Sequence, residues 1–167
     1  EYPDGIRLLD KYPNLIVCRT FSKAWGLAAL RVGYSISSPA IADILNRVRQ
    51  PFNVDTVALA AATAVLEDEA YLQKSREVNE AGLQQLAEGF DRMGLSYIPS
   101  AGNFIAVEVG EPAAGIYQAL LAHGVIVRPV AGYGMPRHLR VSVGLPQENE
   151  RFLDALAEAL ASAGLGA

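Results

Sequence analysis

Residues 19–34 read RTFSKAWGLAALRVGY, and this stretch says more about the chain than any other. It places the amine of Lys23 between the hydroxyl groups of Thr20 and Ser22 and a run of small residues, followed by the guanidinium of Arg31. Small residues let backbone and ligand approach closely, and a planar guanidinium suits a phosphate group. The pattern favours a site in which a nucleophilic amine lies beside an anion-binding group. From composition alone, the alternative is a solvated lysine in a surface loop.

The same stretch resembles the cofactor-lysine motif of the fold-type I, pyridoxal phosphate-dependent aminotransferases, especially the histidinol-phosphate aminotransferases. In that family a serine–lysine pair is followed by a glycine-leucine-alanine segment and a phosphate-binding arginine. The matching positions here are Ser22, Lys23, residues 26–28 and Arg31, and the resemblance extends over nearly the whole chain. It implies that Lys23 is catalytic and bonds covalently to pyridoxal phosphate as a Schiff base. Thr20, Ser22 and Arg31 are then expected to bind the cofactor with it.

Three further residues are candidate substrate ligands. Arg140 lies in an apolar strand pattern, where burial of a guanidinium is costly unless it is paired. If Arg140 does not bind substrate, it is expected to form a structural salt bridge. Arg128 follows an apolar run, and if it binds no substrate it is a surface charge at the end of a strand. Asn103, if it binds no substrate, has a role in a turn. The resemblance implies that Arg140 binds the carboxylate of the amino or keto acid. It further implies that Arg128 contacts a substrate phosphate and that Asn103 lies near the substrate end of the site.

The activity that the resemblance implies is amino transfer between L-histidinol phosphate, or imidazole acetol phosphate, and the glutamate/2-oxoglutarate pair, in histidine biosynthesis. An aromatic amino acid or aspartate-type aminotransferase is the alternative within the same chemistry. A catalytically inert fragment is the alternative of another class, because the family's ring-contacting aspartate and tyrosine would precede Glu1. We expect the C-terminal portion of a longer enzyme, whose family works as a cytoplasmic homodimer on small molecules.

Composition argues against several other functions. The 167 residues carry a net charge of -4 and a pI near 5.2, which disfavour a nucleic-acid surface or a polybasic membrane surface. No apolar run approaches the ~20 residues of a membrane-spanning helix. Cys18 is the only cysteine and lies in an apolar run, so we predict a small core residue in a reducing compartment. His123 and His138 show no metal-ligand spacing, and no metal site is expected.

The fold class is predicted to be α/β with three parts. The resemblance implies that residues 1–66 end a large cofactor-binding domain of three-layer α/β/α architecture. The amphipathic pattern of residues 67–93 predicts a long connecting helix that Gly94 terminates. Alternating strand and helix patterns in residues 94–167 predict a small two-layer α+β domain.

Local patterns predict the elements within these parts. In the first part, residues 14–18 predict a buried strand of a parallel sheet and residues 30–36 a second strand. Ser38 and Asp55 are candidate caps for the two helices that follow. In the last part, we predict strands at 96–98, 104–109, 125–128 and 139–143, and helices opening at Glu111-Pro112 and at Pro146. The aromatic residues predicted to pack rather than to bind ligand are Trp25, Tyr34 and Tyr133.

Overall fold

The computed structural model describes residues 3–111 and 113–164 and has a mixed α/β architecture. The chain divides into two compact units, Glu1–Arg76 and Glu77–Ala167. This division falls within the long helix that the sequence predicts. The finer boundaries at 66 and 93 stay a prediction. Pro112, predicted to open a helix, lies outside the described residues.

The first unit contains one pair of described strands. β1 (Ile16–Thr20) pairs antiparallel with β2 (Gly33–Ser37), so that Ile16 lies opposite Ser37 and Thr20 opposite Gly33. The predicted buried strand of a parallel sheet is therefore wrong in direction and in burial. Among the described residues β1 has one partner strand only, and all its residues except Val17 are exposed. Cys18, predicted to be a core residue, is exposed for the same reason.

Two short helices follow the strand pair, α1 (Pro39–Val48) and α2 (Thr56–Val65). The backbone N–H of Ala58 donates to the Asp55 carboxylate at 2.8 Å, which confirms the predicted cap of α2. Ser38 occupies the cap position of α1, but its side chain makes no capping hydrogen bond. Side-chain capping therefore supports the start of α2 and not that of α1.

The predicted long helix is confirmed as α3 (Glu69–Arg92). The backbone N–H of Tyr71 donates to the Asp68 carboxylate at 3.0 Å near its start. Gly94, whose φ of +67° suits a residue without a Cβ atom, follows its end. Leu86 and Phe90, which are four residues apart and so share one face of this amphipathic helix, are fully buried in the core of the second unit.

The second unit is built on a four-stranded antiparallel sheet. The order of the strands across the sheet is β3-β4-β6-β5, so each hydrogen-bonds to its neighbours in this list. Side chains alternate between the two faces, and one face enters the core while the other does not. The strands are β3 (Tyr97–Ile98), β4 (Phe104–Glu108), β5 (Arg128–Pro129) and β6 (His138–Ser142). The core face carries Ile105, Val107, Leu139 and Val141.

Two helices pack in the same core, α4 (Ala113–Ala122) and α5 (Pro146–Ser162). Pro146 opens α5 as predicted, and the backbone N–H of Leu145 donates to the Glu148 carboxylate at 2.7 Å. Side chains of α3, α4 and α5 share one hydrophobic cluster with the core face of the sheet, in agreement with the predicted two-layer arrangement. The buried helix side chains include Leu86, Phe90, Ile116, Leu120, Phe152 and Leu156.

The predicted strand at residues 125–128 is mostly wrong. Only Arg128, with Pro129, pairs with β6. The backbone N–H of Val125 donates instead to the carbonyl of Leu120 at 2.9 Å, closing the end of α4 around Gly124. Val125 and Val127 still pack against the core, which explains their apolar character without a strand. Capping of the preceding helix has displaced the start of the strand.

Replacing Asp55 with alanine should lower the free energy of unfolding of the first unit by about 1 kcal/mol, because the Ala58 N–H loses its capping acceptor. Urea unfolding followed by circular dichroism measures this loss. The matched control is Ser38→Ala, which removes a cap-position hydroxyl that makes no capping bond and should change stability by less than ~0.5 kcal/mol. Equal losses in the two variants would contradict the assignment of the cap.

Candidate active site

Lys23 lies on a tight loop between β1 and the short 3-10 helix Ala28–Leu30. The backbone N–H of Phe21 donates to the carbonyl of Val32 at 3.2 Å, and the backbone N–H of Leu27 donates to the carbonyl of Phe21 at 2.9 Å. Between these bonds, the Gly26 N–H donates to the carbonyl of Lys23 at 2.9 Å. The loop is therefore closed by three backbone bonds, and the side chain of Lys23 is exposed.

A small hydrophobic cluster supports the loop from within the first unit. Phe21 and Val32 are buried with Ala58 and Ala62 of α2. Because alanine side chains are short, α2 can lie close to the loop and to the Phe21 ring. Trp25 packs partly buried against this cluster, with its ring centroid 6.3 Å from that of Phe21, which confirms its packing role. The helix that Asp55 caps thus forms part of the support for the loop.

Thr20, Ser22 and Arg31 are brought together around the loop. The Ser22 backbone N–H donates to the Thr20 hydroxyl oxygen at 3.1 Å. Arg31 donates through Nη1 to the Ser22 hydroxyl at 3.5 Å and to the carbonyl of Ala28 at 2.6 Å. These contacts place one hydroxyl and one guanidinium side by side, and the ion pairs found among the described residues include neither Arg31 nor Lys23. Among the described residues, no carboxylate therefore neutralises either side chain.

Arg31 adopts a left-handed backbone conformation, with φ +52° and ψ +41°. Residues other than glycine reach this region only at an energetic cost, commonly of about 1–3 kcal/mol. The chain places an arginine here even though glycine would fit the backbone better. Such an outlier within a constrained loop points to a role for the side chain.

Two glycines allow the close approaches that the loop needs. A Cβ atom on Gly26, whose φ is +72°, would lie 2.8 Å from the Tyr71 hydroxyl. A Cβ atom on Gly33 would lie 2.7 Å from the carbonyl oxygen of Arg19 across the strand pair. At Gly26 a larger residue would have a strained backbone conformation and would push the Tyr71 hydroxyl aside, whereas at Gly33 it would displace the β1–β2 pairing.

In the second unit, Arg140 lies on the face of β6 that points away from the core. Its guanidinium carbon lies 4.8 Å from the centroid of the Phe104 ring, within the range of a cation–π contact. Its Nε atom is buried and has no hydrogen-bond partner among the described residues. The structural salt bridge considered for Arg140 is absent from the described part of the chain. The guanidinium is thus partly desolvated without a carboxylate to compensate it.

Arg128 is the cross-strand partner of Arg140, because the two residues lie directly opposite each other on β5 and β6. Like charges in this position destabilise a sheet unless an anion lies between or beside them. Arg128 is exposed and takes part in no ion pair that the described residues form. Two of the predicted substrate ligands therefore share one face of one sheet.

Asn103 precedes β4, and its carbonyl accepts a hydrogen bond from the Val143 N–H at 3.0 Å. In the turn before it, the Gly102 N–H donates to the Ser100 hydroxyl at 3.0 Å, and the Asn79 amide donates to the Gly102 carbonyl at 3.0 Å. The backbone of Asn103 thus takes part in the turn and in the hydrogen bonding beside β4 and β6. This agrees with the turn role predicted as the alternative to substrate binding. Its side chain is exposed and remains a candidate ligand.

A cavity of about 310 Å³ opens beside Arg140. Sequence reasoning missed Phe104, Ala106 and Met135 in its wall, since nothing local in the sequence indicates which strand neighbours Arg140. Tyr133 also lines it and is 71% exposed, so the prediction that this residue has a packing role is wrong. Tyr34 is exposed as well, although its ring lies 5.7 Å from that of Phe21. The lining is Ile98, Pro99, Ser100, Phe104, Ala106, Val130, Tyr133, Met135 and Arg140.

Other site types find no support among residues 3–111 and 113–164. No group of three or more histidine, cysteine, aspartate or glutamate side chains there could hold a metal ion. His123 follows α4, and its Nδ1 atom lies 3.5 Å from the Glu158 carboxylate. In the same described ranges, none of the helices combines the length and apolar character that crossing a bilayer requires.

Comparison with known proteins identifies the family. The family described as "Aminotransferase class I and II" matches residues 2–156. The chain belongs to this aminotransferase family. Histidinol-phosphate aminotransferase 2 of Pseudomonas fluorescens (strain Pf0-1) is 65% identical to it over 96% of the chain. The chain spans 44% of the length of that relative.

Solved structures agree with this assignment. Histidinol-phosphate aminotransferase from Sinorhizobium meliloti, in complex with pyridoxal 5'-phosphate, is 35% identical and superposes with a TM-score of 0.81. The alignment covers 90% of this chain and 42% of that one. Histidinol-phosphate aminotransferase from Clostridium acetobutylicum has a TM-score of 0.88 at 20% identity, over 95% of this chain and 49% of that one, and supports the fold alone. The predicted fold class and family resemblance are confirmed.

Proposed function

We propose that this chain carries the lysine and the anion-binding arginines of an aminotransferase that moves an amino group between L-histidinol phosphate and 2-oxoglutarate. The single observation that carries this proposal is the facing pair of arginines, Arg128 and Arg140, on one sheet surface without carboxylate partners in the described chain. A phosphate and a carboxylate are anions of the kind that such a pair attracts. The 65% identity to a histidinol-phosphate aminotransferase supports the choice of substrate.

The residues of the Lys23 loop fit pyridoxal phosphate as the cofactor. Lys23 is exposed and outside every ion pair of the described residues, so its amine can reach a carbonyl carbon. The Ser22 hydroxyl and the Arg31 guanidinium lie together, and each can bond phosphate oxygens. Thr20 holds the Ser22 backbone through its hydroxyl, which keeps this pair in place. We assign Thr20, Ser22, Lys23 and Arg31 to the cofactor.

The chemistry divides between the cofactor and the chain. When bound, pyridoxal phosphate supplies an aldehyde for covalent attachment and a ring that withdraws electrons. Lys23 Nζ provides the attachment point and, once released, an amine that takes a proton from the substrate carbon and returns one. Arg140 and Arg128 orient the substrate through its anionic groups. Asn103, in the same second unit, is the third residue that we assign to the substrate. Charge pairing and proton transfer are therefore the tasks of these side chains.

An aromatic amino acid aminotransferase is the second candidate. The cavity beside Arg140 is lined mainly by apolar side chains, including Phe104, Tyr133 and Met135. An aromatic ring would fit such surroundings, with its carboxylate on Arg140. Arg128 distinguishes the two candidates, because an amino acid with one carboxylate has no second anionic group for it.

We also propose that the protein self-associates. Val48, Phe52, Val57 and Leu59 are large apolar side chains of the first unit that are each more than half exposed. Phe52 is 97% exposed and has a φ of +56°, a costly conformation for a bulky residue. A second copy of the protein would cover this apolar surface.

The exposed thiol of Cys18 supports a reducing, cytoplasmic location, which cell fractionation would test.

Incubation of the chain with limiting pyridoxal phosphate, followed by borohydride reduction, should label Lys23 in preference to Lys11 and Lys74, because only Lys23 adjoins Ser22 and Arg31. Peptide mass spectrometry locates the label. Lys23→Ala should abolish the selective label, and Arg31→Ala should raise the cofactor concentration needed for it by about tenfold. Lys74→Ala is the matched control and should leave labelling of Lys23 intact. Random labelling of all three lysines would instead favour an inert fragment.

Arg128→Ala should weaken binding of L-histidinol phosphate to the chain by about tenfold and binding of L-phenylalanine by less than about twofold, since only the first has a phosphate for Arg128. Titrations followed by nuclear magnetic resonance measure both affinities. Arg92→Ala, in the last turn of α3, is the control for the loss of one positive charge. Equal losses for both compounds would remove the case for a phosphorylated substrate.

Phe52→Asp should shift the chain toward its monomer mass of 17.8 kDa in sedimentation experiments over a range of concentrations, because a charge in a covered apolar surface is costly. Ile126→Asp changes another strongly exposed apolar residue, in the second unit, and should leave association unchanged. A wild-type chain that sediments as a monomer at every concentration would refute self-association through this surface.

A further inference from the structure

The orientation of the Arg140 guanidinium needs an explanation, since its nearest cross-strand neighbours do not supply one. Ala106 on β4 lies directly opposite Arg140 and offers only a methyl group. Arg128 on β5 lies opposite on the other side and carries a like charge. Among the described residues neither an ion pair nor a hydrogen bond from Nε fixes the group. A flexible side chain left in this state would sample many rotamers.

Phe104 provides the contact that the direct neighbours lack. It pairs with Ser142, so it is the diagonal neighbour of Arg140 on the same face of the sheet, within reach of an aromatic side chain. The small Ala106 side chain leaves room for the guanidinium to lean toward the ring, and the guanidinium carbon lies 4.8 Å from the ring centroid. At this distance the ring face attracts the cation, and the planar guanidinium can stack on it.

The surroundings strengthen this contact. Phe104 and Arg140 line the same cavity, most of whose wall is apolar. Removal of water increases a cation–π attraction relative to an exposed site. Unlike a carboxylate partner, a ring uses none of the guanidinium N–H groups, so it can orient the group and leave its donors free for a substrate.

We propose that Phe104 is a positioning residue that orients the Arg140 guanidinium for binding of a substrate carboxylate. This inference rests on the proposed function of Arg140 as an anion ligand. It assigns Phe104 no contact with the reacting atoms. It explains why an aromatic residue occupies a partly exposed position beside an arginine that has no ion pair among the described residues.

The test compares Phe104→Leu with the wild-type chain in two measurements. Nuclear magnetic resonance of the arginine Nε–H groups reports the ring current of Phe104 on Arg140, and a titration with 2-oxoglutarate reports carboxylate binding. Phe104→Leu should move the Arg140 resonance and weaken 2-oxoglutarate binding roughly three- to tenfold. Phe104→Tyr retains the ring at a residue that is 39% exposed, so it should restore both properties to within about twofold.

Tyr97→Leu is the control for loss of an aromatic ring without a role at Arg140. Tyr97 is on the same sheet but packs against Phe90 in the core, so its loss should lower stability and leave the Arg140 resonance and the 2-oxoglutarate affinity unchanged. If Phe104→Leu binds 2-oxoglutarate as tightly as the wild type while Arg140→Ala does not, positioning by Phe104 is refuted and the proposed function stands. If Arg140→Ala leaves the affinity unchanged, the proposed function falls and takes this inference with it.

Discussion

The antiparallel register of β4, β6 and β5 is the constraint on which the second unit depends. It sends Leu139 and Val141 into the core and Arg140 to the opposite face, because side chains alternate along a strand. A slip of one residue would bury the guanidinium and expose the core residues. The hydrophobic effect therefore sets the register, and the register in turn places Arg140 beside Arg128 and Phe104. The burial that stabilises the unit also places Arg128 and Arg140 together on the opposite face of the sheet.

Local features were predictable from the sequence. The cap at Asp55, the termination of α3 at Gly94 and the opening of α5 at Pro146 each depend on a few consecutive residues. The grouping of Ser22 with Arg31 was also visible, because the two are nine residues apart in one loop and the small residues between them favour a close turn. The strand predicted at residues 139–143 also rests on a local pattern, and the alternation along it keeps Arg140 out of the core.

Features that depend on distant partners were not predictable. The apolar run ending at Cys18 looks the same whether its strand has one neighbour or two, and burial of Cys18 was wrongly predicted from it. The start of β5 was misplaced because the N–H of Val125 serves the end of α4. Phe104 went unnoticed because its contact with Arg140 crosses between strands 36 residues apart in the chain, a separation on which local pattern carries no information.

Arg31 has a consequence for attempts to make this protein more stable. Its backbone conformation would suit glycine, whereas its hydrogen bonds to Ser22 and Ala28 need the arginine side chain. The residue that is best for the backbone is therefore not the residue that makes these contacts. A designer guided by backbone geometry alone would relax the strain and discard the guanidinium. The stability gained in this way would come at the position whose side chain we propose as a cofactor ligand, which is the usual conflict between stability and activity.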